Sequence, residues 1–314
     1  MLTSASTRIV TDAPALEPLS HLLSDDIFDI SGVRLNASGS NGAHSPNMVN
    51  IHLSLVSVTV QTDPPQAPGS TASTLPDESY HLVVSGKGVE IRCVSYTGCA
   101  WAVTTLLQLL CVSGVPTQTI ALPAVNISDA PDAPYRGVLL DTARSLVTMQ
   151  DLFHAVTLAR YYKIRFLHLH LTDDHSWTFP SDAFPALGSA NVGFRGRCPT
   201  VFTKQQLRSL VAYADQRGVT IVPELEGPGH SSAQRRAMPQ LFGPPTNAQG
   251  GGVLTVTNES VYDAMTTIIK EMANVFASSP YIHVGCDETG TPTSLPGYAQ
   301  FAVCTHMHCN MHSV

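Results

Sequence analysis

The stretch IRFLHLHLTDD, residues 164–174, is an apolar run that ends in two adjacent acidic residues. The run is short enough for one buried strand, and three other segments repeat the design of a short apolar strand linked to an amphipathic helical pattern. The four predicted strands are Val138–Asp141, Ile164–His170, Val219–Pro223 and Tyr281–Gly285. Strands that alternate with helices are typical of βαβ units, so the sequence predicts an α/β fold with a parallel sheet.

Capping residues mark the starts of the predicted helices. Thr203–Gln206 has the pattern of a capping box, and the apolar stripe that follows it stops before Gly218. Thr148 and Thr257 are predicted to cap two further helices. The connections that leave the second and third strands are long, whereas those that lead into strands are short. Long loops on one side of a parallel sheet are where function usually lies.

The first third of the chain has a different pattern. Two alternating apolar segments, Ile51–Gln61 and Tyr80–Ser95, predict strands, and the second is folded into a hairpin at Ser85–Gly88. Apolar residues at helical spacing then predict a helix over Tyr96–Leu110 that covers this small sheet. We therefore predict an α+β domain over residues 1–134 and a βα domain over residues 135–314.

Composition excludes some classes of function. Charged residues make up 13% of the 314 residues and the net charge is −7, which argues against a nucleic-acid partner. No apolar stretch approaches the roughly 20 residues that a membrane-spanning helix needs, and the first residues lack the apolar core of a signal peptide. The seven cysteines show no metal-binding or redox spacing, and their pairing stays open.

Carboxylates lie at or just after the end of every predicted strand, and histidines join them at the second and third, at the end where ligands bind in parallel α/β folds. The pair that indicates a site most strongly is Asp287 and Glu288, which come shortly after Gly285 at the end of the fourth strand. One interpretation is that both acids are solvated at a strand end on the surface, with no role. The other is functional: Gly285 leaves room for a ligand, and the two acids share a poorly hydrated site. One of them then acts as a general acid beside an ionised partner.

Arg144, Asp173 and His230 are further candidate site residues. Arg144 is either an ordinary surface base or a guanidinium that clamps two sugar hydroxyls. His230 is either a loop histidine or, with Asp173 orienting its ring, the donor of a fixed hydrogen bond to a substrate.

A metal-dependent barrel hydrolase is the rival hypothesis. His168 and His170 lie on one face of their strand because side chains alternate with a period of two. The ligand set of this hypothesis is His168, His170, His230, His283 and Asp287.

Four segments, YRGVLLDTAR, FLHLHLTDDHSW, GVTIVPELEGPGH and IHVGCDETG, together resemble the β-N-acetylhexosaminidases of glycoside hydrolase family twenty. The resemblance covers about residues 135–290, and the preceding strands and helix resemble the noncatalytic N-terminal domain of that family. It implies a (β/α)8 barrel, no cofactor, and removal of terminal β-linked N-acetylglucosamine or N-acetylgalactosamine from glycans. It also implies a lysosomal or secreted location.

The resemblance further implies a role for each candidate residue. Glu288 is the general acid/base, and Asp287 orients the 2-acetamido group of the substrate, which supplies its own nucleophile. Arg144 holds the outer hydroxyls, while Asp173 and His230 form a supporting pair.

Two departures from the family pattern lie beside these residues, since Cys286 stands where a glycine is usual and Glu226 where an aspartate is usual. The chain also stops 26 residues after Glu288, with about four βα units. We therefore expect a partial TIM barrel with unpaired edge strands, for which dimerisation, aggregation and unfolding are the predicted outcomes. The alternative to an active β-N-acetylhexosaminidase is a catalytically incompetent fragment that serves as a binding or assembly protein.

Overall fold

The computed structural model describes residues 1–38, 48–56, 75–110, 119–189, 192–193, 201–244 and 252–289. Contacts divide the chain into two units. The first holds residues 1–136, 160–163 and 216–219, and the second holds residues 137–159, 164–215 and those from 220 onward. None of the helices in the described ranges combines the length and the apolarity that a bilayer crossing requires.

The first unit contains a six-stranded mixed sheet of order β3-β2-β4-β6-β5-β8 and a separate two-stranded ribbon, β1-β7. Its strands are β1 (Leu2–Thr3), β2 (Thr7–Thr11), β3 (Asn36–Ser38), β4 (Val49–Leu55), β5 (Tyr80–Ser85), β6 (Gly88–Cys93), β7 (Thr119–Ile120) and β8 (Val125–Asp129). Two helices, α1 (Glu17–Ser31) and α2 (Tyr96–Gln108), pack on the larger sheet. A single-turn 3-10 helix, Pro14–Leu16, precedes α1.

The predicted hairpin and helix of this unit are confirmed. Strands β5 and β6 pair antiparallel, with Ser85 opposite Gly88 at the turn. The Ser95 side chain caps α2 by accepting a hydrogen bond from the Gly98 backbone, and Cys93 is disulfide-bonded to Cys99. Strand β4 covers the start of the predicted segment Ile51–Gln61, whereas residues 57–61 lie outside the described residues.

Gly88 gives this sheet a sensitive position. Its φ is +133°, and a Cβ there would lie 2.5 Å from the Asn50 carbonyl oxygen of the neighbouring strand. We expect Gly88→Ala to lower the free energy of unfolding by about 2 kcal/mol in urea denaturation. Gly86→Ala is the matched control, since nothing lies within 4 Å of the added carbon. Equal losses for both variants would show that the close contact with Asn50 does not limit which residue position 88 accepts.

The second unit is built on a parallel sheet of order β11-β10-β9. Its elements are β9 (Gly137–Asp141), α3 (Met149–Tyr161, whose last two residues belong to the first unit), β10 (Phe166–His170), α4 (Lys204–Asp215), β11 (Thr220–Glu224), α5 (Ser232–Ala237), α6 (Pro239–Phe242) and α7 (Glu259–Val275). A short 3-10 helix spans Pro185–Gly188. Three of the four predicted parallel strands are therefore confirmed, each within two residues of its predicted start.

The helix starts follow the predicted capping chemistry with one exception. Thr203 and Gln206 exchange two side-chain-to-backbone hydrogen bonds, which is the predicted capping box. Thr148 likewise caps α3 by accepting from the Asp151 backbone. The prediction of Thr257 as the cap of α7 is wrong, because Asn258 accepts a hydrogen bond from the Ser260 backbone and takes that role.

The predicted fourth strand, Tyr281–Gly285, is not formed as a strand. His283 makes a single parallel bridge to Glu224 through the hydrogen bonds His283 N to Pro223 O and Leu225 N to His283 O. Pairing stops there because Gly285 and Cys286 have φ of 64° and 76°, which takes the chain out of the extended conformation. The described part of the barrel is thus three strands and one bridge.

Candidate functional site

The register of the sheet aligns polar residues at the carboxyl ends of the strands. His170 at the end of β10 lies opposite Asp141 of β9 on one side and Glu224 of β11 on the other. The bridge to His283 extends this row by one position. Four ionisable side chains from four segments therefore meet at one level of the sheet.

Glu224 is buried and binds three imidazoles. Its Oε1 accepts from His283 Nδ1 at 2.6 Å, and its Oε2 lies 2.9 Å from His168 Nε2 and 3.0 Å from His170 Nδ1. Burial alone would raise the pKa of Glu224, but the nearby His168 ring and the hydrogen bonds to His170 and His283 hold that pKa far below its ordinary range. Glu224 is therefore an anion whose charge is compensated by the histidines.

Those contacts have the opposite effect on His170. Burial alone would lower its pKa, but the carboxylate of Asp173, 3.7 Å from Nε2, and the hydrogen bond to Glu224 raise it to about 10. His170 is consequently an imidazolium at neutral pH, fixed between two carboxylates.

Glu226 occupies the space that was predicted to be left for a ligand. A Cβ on Gly285 would lie 1.9 Å from Glu226 Oε2, so the carboxyl group is pressed against the glycine. The expectation that Gly285 opens the pocket is therefore wrong: the longer glutamate side chain fills the gap. Burial, together with the charge of Glu224, raises the pKa of Glu226 to about 8, which makes it a neutral acid at neutral pH.

Arg144 is held by two carboxylates. Asp141 accepts from the Arg144 backbone at 2.9 Å and from Nη1 at 2.8 Å, and Asp173 Oδ2 accepts from Nη2 at 2.6 Å. The guanidinium keeps 41% of its side-chain surface exposed. It is thus fixed in direction while remaining accessible to a ligand.

Asp173 is the buried centre of this region. It is fully shielded from solvent and accepts at Oδ1 from the backbone and ring nitrogens of His175, at 3.0 and 2.8 Å. Burial alone would raise the pKa of Asp173, but the nearby His170 ring, the hydrogen bonds from His175 and the charge of Arg144 hold that pKa well below its usual range. Asp173 therefore carries a permanent negative charge inside the unit.

His230 joins Asp173 to the two exposed acids. Its Nδ1 lies 3.4 Å from Asp173 Oδ2, while its Nε2 lies 3.5 Å from Asp287 Oδ1 and 3.3 Å from Glu288 Oε2. The loop approaches closely because Gly229 lacks a side chain: a Cβ there would come within 2.5 Å of the Asp287 carbonyl oxygen. All five predicted site residues, Arg144, Asp173, His230, Asp287 and Glu288, thus form one continuous chain of contacts.

The predicted scarcity of water around the acid pair is wrong for the described residues. The side chains of Asp287 and Glu288 are 67% and 77% exposed. Among the residues that the structure describes, none covers either acid. Their contacts with His230 nevertheless direct both side chains toward the buried centre at Asp173.

Two groups of side chains have the spacing to hold a metal ion. They are His168, Glu224 and His283, and His170, Glu224 and Glu226, with ligand atoms within 4.8 Å of one another. The other two members of the rival metal set, His230 and Asp287, contact each other and belong to neither group. Glu224 is hydrogen-bonded to His170 at 3.0 Å and to His283 at 2.6 Å, whereas His168 Nε2 and Glu226 Oε2 are buried with no hydrogen-bond partner among the described residues.

Sequence reasoning assigned no role to Glu224, Asp141 and His175. The signal that points to Glu224 and Asp141 is register, since both occupy the strand position opposite His170. His175 follows Asp173 by two residues, a spacing at which a side chain folds back onto a carboxylate.

Comparison with known proteins gives consistent matches for both parts of the chain. A family model described as "Glycosyl hydrolase family 20, catalytic domain" matches residues 134–309, and one described as "Glycosyl hydrolase family 20, domain 2" matches residues 1–130. A β-N-acetylhexosaminidase of Cellulomonas fimi is 32% identical over 96% of this chain. The human β-hexosaminidase subunit beta is 29% identical over 74% of it.

Solved structures resemble the fold over nearly the whole chain. The Streptomyces plicatus N-acetyl-β-hexosaminidase, solved in complex with Thio-NAglucal, superposes with a TM-score of 0.80 at 25% identity over 99% of this chain. Such neighbours have a TIM-barrel catalytic domain preceded by a small domain, which is the fold class of this chain. The chain spans 60% of the Streptomyces structure, 60% of the Cellulomonas relative and 41% of the human one.

Proposed function

This chain belongs to glycosyl hydrolase family 20, and we propose that it is an exo-acting β-N-acetylhexosaminidase that removes terminal β-linked N-acetylglucosamine or N-acetylgalactosamine from glycans. The observation that carries the proposal is the chain of contacts from Arg144 through Asp173 and His230 to Asp287 and Glu288. The β-N-acetylhexosaminidase and β-hexosaminidase relatives support the same activity. We also propose that residues 1–134 form the noncatalytic domain and residues 135–314 the catalytic one.

In this proposal Glu288 protonates the leaving oxygen while the 2-acetamido oxygen of the substrate attacks the anomeric carbon. Asp287 orients that acetamido group and stabilises the positive charge that develops on it. Glu288 then removes a proton from water, which attacks the oxazolinium intermediate, so the product retains the configuration of the substrate. The attacking group belongs to the sugar, which explains why the acids are neighbours rather than facing each other across it.

Arg144 is proposed to bind the outer hydroxyls of the terminal sugar. Its two carboxylate partners fix the guanidinium plane, and 41% of its side-chain surface stays exposed beside Asp173. The permanent charge of Asp173 in turn attracts His230, whose other nitrogen faces Glu288. Sugar binding and proton transfer are thus supported by one buried carboxylate.

The test is a comparison of two chromogenic substrates that differ only in the acetamido group. We expect this chain to release nitrophenol from the β-N-acetylglucosaminide and at least about 100-fold more slowly from the β-glucoside, because the glucoside lacks the internal nucleophile. Comparable rates on the two substrates would refute the substrate-assisted mechanism. No release from the N-acetylglucosaminide would refute hydrolysis by this chain.

The exposure of Asp287 and Glu288 favours a second candidate function, a noncatalytic glycan-binding or assembly protein. This candidate predicts sugar binding or homodimer formation without turnover, and sedimentation of the purified chain measures the dimer. A lysosomal or secreted location stays a prediction, since relatives from bacteria and from mammals are both among the matches.

A further inference from the structure

A cavity of about 200 Å³ lies in the first unit. Every residue that lines it belongs to that unit, including the turn at residues 160–163. Its walls combine aromatic side chains with acids and bases. The cavity is smaller than the roughly 300 to 1,000 Å³ of sites for drug-sized ligands, so it fits one ring rather than an extended chain.

One wall is a network around Lys163. Its Nζ donates to Tyr80 Oη at 2.8 Å and to Asp129 Oδ2 at 3.1 Å, and Tyr80 Oη also donates to Asp129. Burial alone would raise the pKa of Asp129, but these hydrogen bonds lower it. The carboxylate is therefore ionised and fixed, while 43% of its side chain stays exposed.

The other wall is built on Arg136. Its Nε and Nη1 donate to the carbonyl oxygens of Lys163 and Ala133, and its Nη2 pairs with Glu78. The guanidinium lies 5.9 Å from the ring centroid of Trp101, whose indole nitrogen also donates to Glu78. Because each of these groups is held by several contacts, the wall is rigid before any ligand arrives.

Tyr162 gives the cavity an exposed aromatic edge. Its surface is 76% exposed although the residue lines the cavity. The next residue, Lys163, has a φ of 54°, a conformation that a non-glycine side chain rarely adopts. Such backbone conformations persist where the surrounding structure enforces them, often at ligand sites. Here the turn presents the Tyr162 ring beside the fixed polar walls.

The charges select the ligand class. Both bases of the cavity are already paired with acids, Arg136 with Glu78 and Lys163 with Asp129. Asp132 is a third acid in the lining, so an anion would meet more negative than positive side chains there. A polyhydroxylated ring matches better, because its hydroxyls both donate and accept and its C–H face packs on an aromatic ring. We propose that this cavity binds a single neutral pyranose unit, with Tyr162 stacked on the sugar face. Choosing an N-acetylhexosamine as that sugar rests on the proposed function.

The experiment is a titration of N-acetylglucosamine into the full chain, followed by ligand-observed NMR. Arg144→Ala serves as the background, because it removes the outer-hydroxyl contact of the proposed catalytic site. We expect millimolar binding to persist in that background and to weaken at least about tenfold when Tyr162→Ala is added. Tyr162→Phe keeps the ring and should retain binding. Phe28→Ala is the matched control, since Phe28 is an exposed aromatic of the same unit outside the cavity.

The inference is overturned if no binding depends on Tyr162 up to the solubility limit of the sugar, or if Phe28→Ala weakens binding equally. The same comparison of Tyr162→Ala, Tyr162→Phe and Phe28→Ala in the otherwise unchanged chain decides the matter if Arg144→Ala does not fold. Hydrolysis is measured separately. If the sugar binds in a Tyr162-dependent way but is not hydrolysed, the hydrolase proposal fails and the cavity proposal stands. If hydrolysis occurs without Tyr162-dependent binding, the cavity proposal fails and the hydrolase proposal stands.

Discussion

Glu288→Gln is expected to lower kcat/KM for a β-N-acetylglucosaminide by two to four orders of magnitude, with little change in the affinity for the product sugar. Glutamine keeps the shape of the side chain and its position near His230, but it has no proton to give to the leaving oxygen. The loss should be smaller for a nitrophenyl than for a less acidic methylumbelliferyl leaving group, because a good leaving group needs less protonation. Initial rates on the two substrates measure this difference.

Glu259→Gln is the matched control for charge removal. Glu259 is an exposed glutamate in the first turn of α7, and its substitution should leave kcat/KM unchanged. An equal loss for both variants, or full activity of Glu288→Gln, would remove Glu288 from the role of general acid. Equal losses on the two leaving groups would place its contribution in a step other than protonation of the leaving oxygen.

Glu226 should make the free energy of unfolding depend on pH. Its pKa is about 8 in the folded chain, above the ordinary value of a glutamate, so the folded state holds a proton that the unfolded state releases near pH 4.5. The contribution of protonated Glu226 to the free energy of unfolding is thus fully present below pH 4.5 and is lost as the pH rises toward 8. Since one pKa unit corresponds to about 1.4 kcal/mol, Glu226→Gln should be a few kcal/mol more stable, relative to the wild type, at pH 9 than at pH 5.

The measurement is urea unfolding at pH 5, 7 and 9 for wild type, Glu226→Gln and the control Glu259→Gln. His170, with a pKa raised to about 10, adds a loss of stability with the same sign above pH 6.5. That contribution is the same in wild type and Glu259→Gln. His170 Nδ1 lies 3.8 Å from Glu226 Oε1, so the difference between wild type and Glu226→Gln reports Glu226 together with its coupling to His170. Parallel curves for the two would show that Glu226 ionises in the folded chain as readily as in water.

The sequence was sufficient to predict the elements whose signal is local. The hairpin at Ser85–Gly88, the helix from Tyr96 and the capping box at Thr203 depend on residues a few positions apart, and all three are present. That the five candidate residues lie close together was also predictable, because parallel strands bring their carboxyl ends to one edge. Their contacts follow from that arrangement.

What the sequence could not supply depends on register and on space. The meeting of Glu224 with His168, His170 and His283 follows from which residues stand opposite each other across strands. The filling of the gap at Gly285 by Glu226 depends on one extra methylene in a three-dimensional contact. The burial of Asp287 and Glu288 was predicted wrongly because covering a strand end requires elements far along the chain.

The turn that follows the bridge at His283 has a consequence for the acid it carries. Cys286 and Glu288 both adopt positive φ, at a cost of roughly 1 kcal/mol or more for each non-glycine residue. Few packing contacts orient the exposed Glu288 side chain. Its direction is therefore set by the backbone conformation of this turn and by the Gly229 backbone, which lies against Asp287. The turn at Cys286–Glu288 and the loop before His230 are therefore coupled. A displacement of either one changes the direction of the Glu288 carboxyl group, even though the residue itself is unchanged.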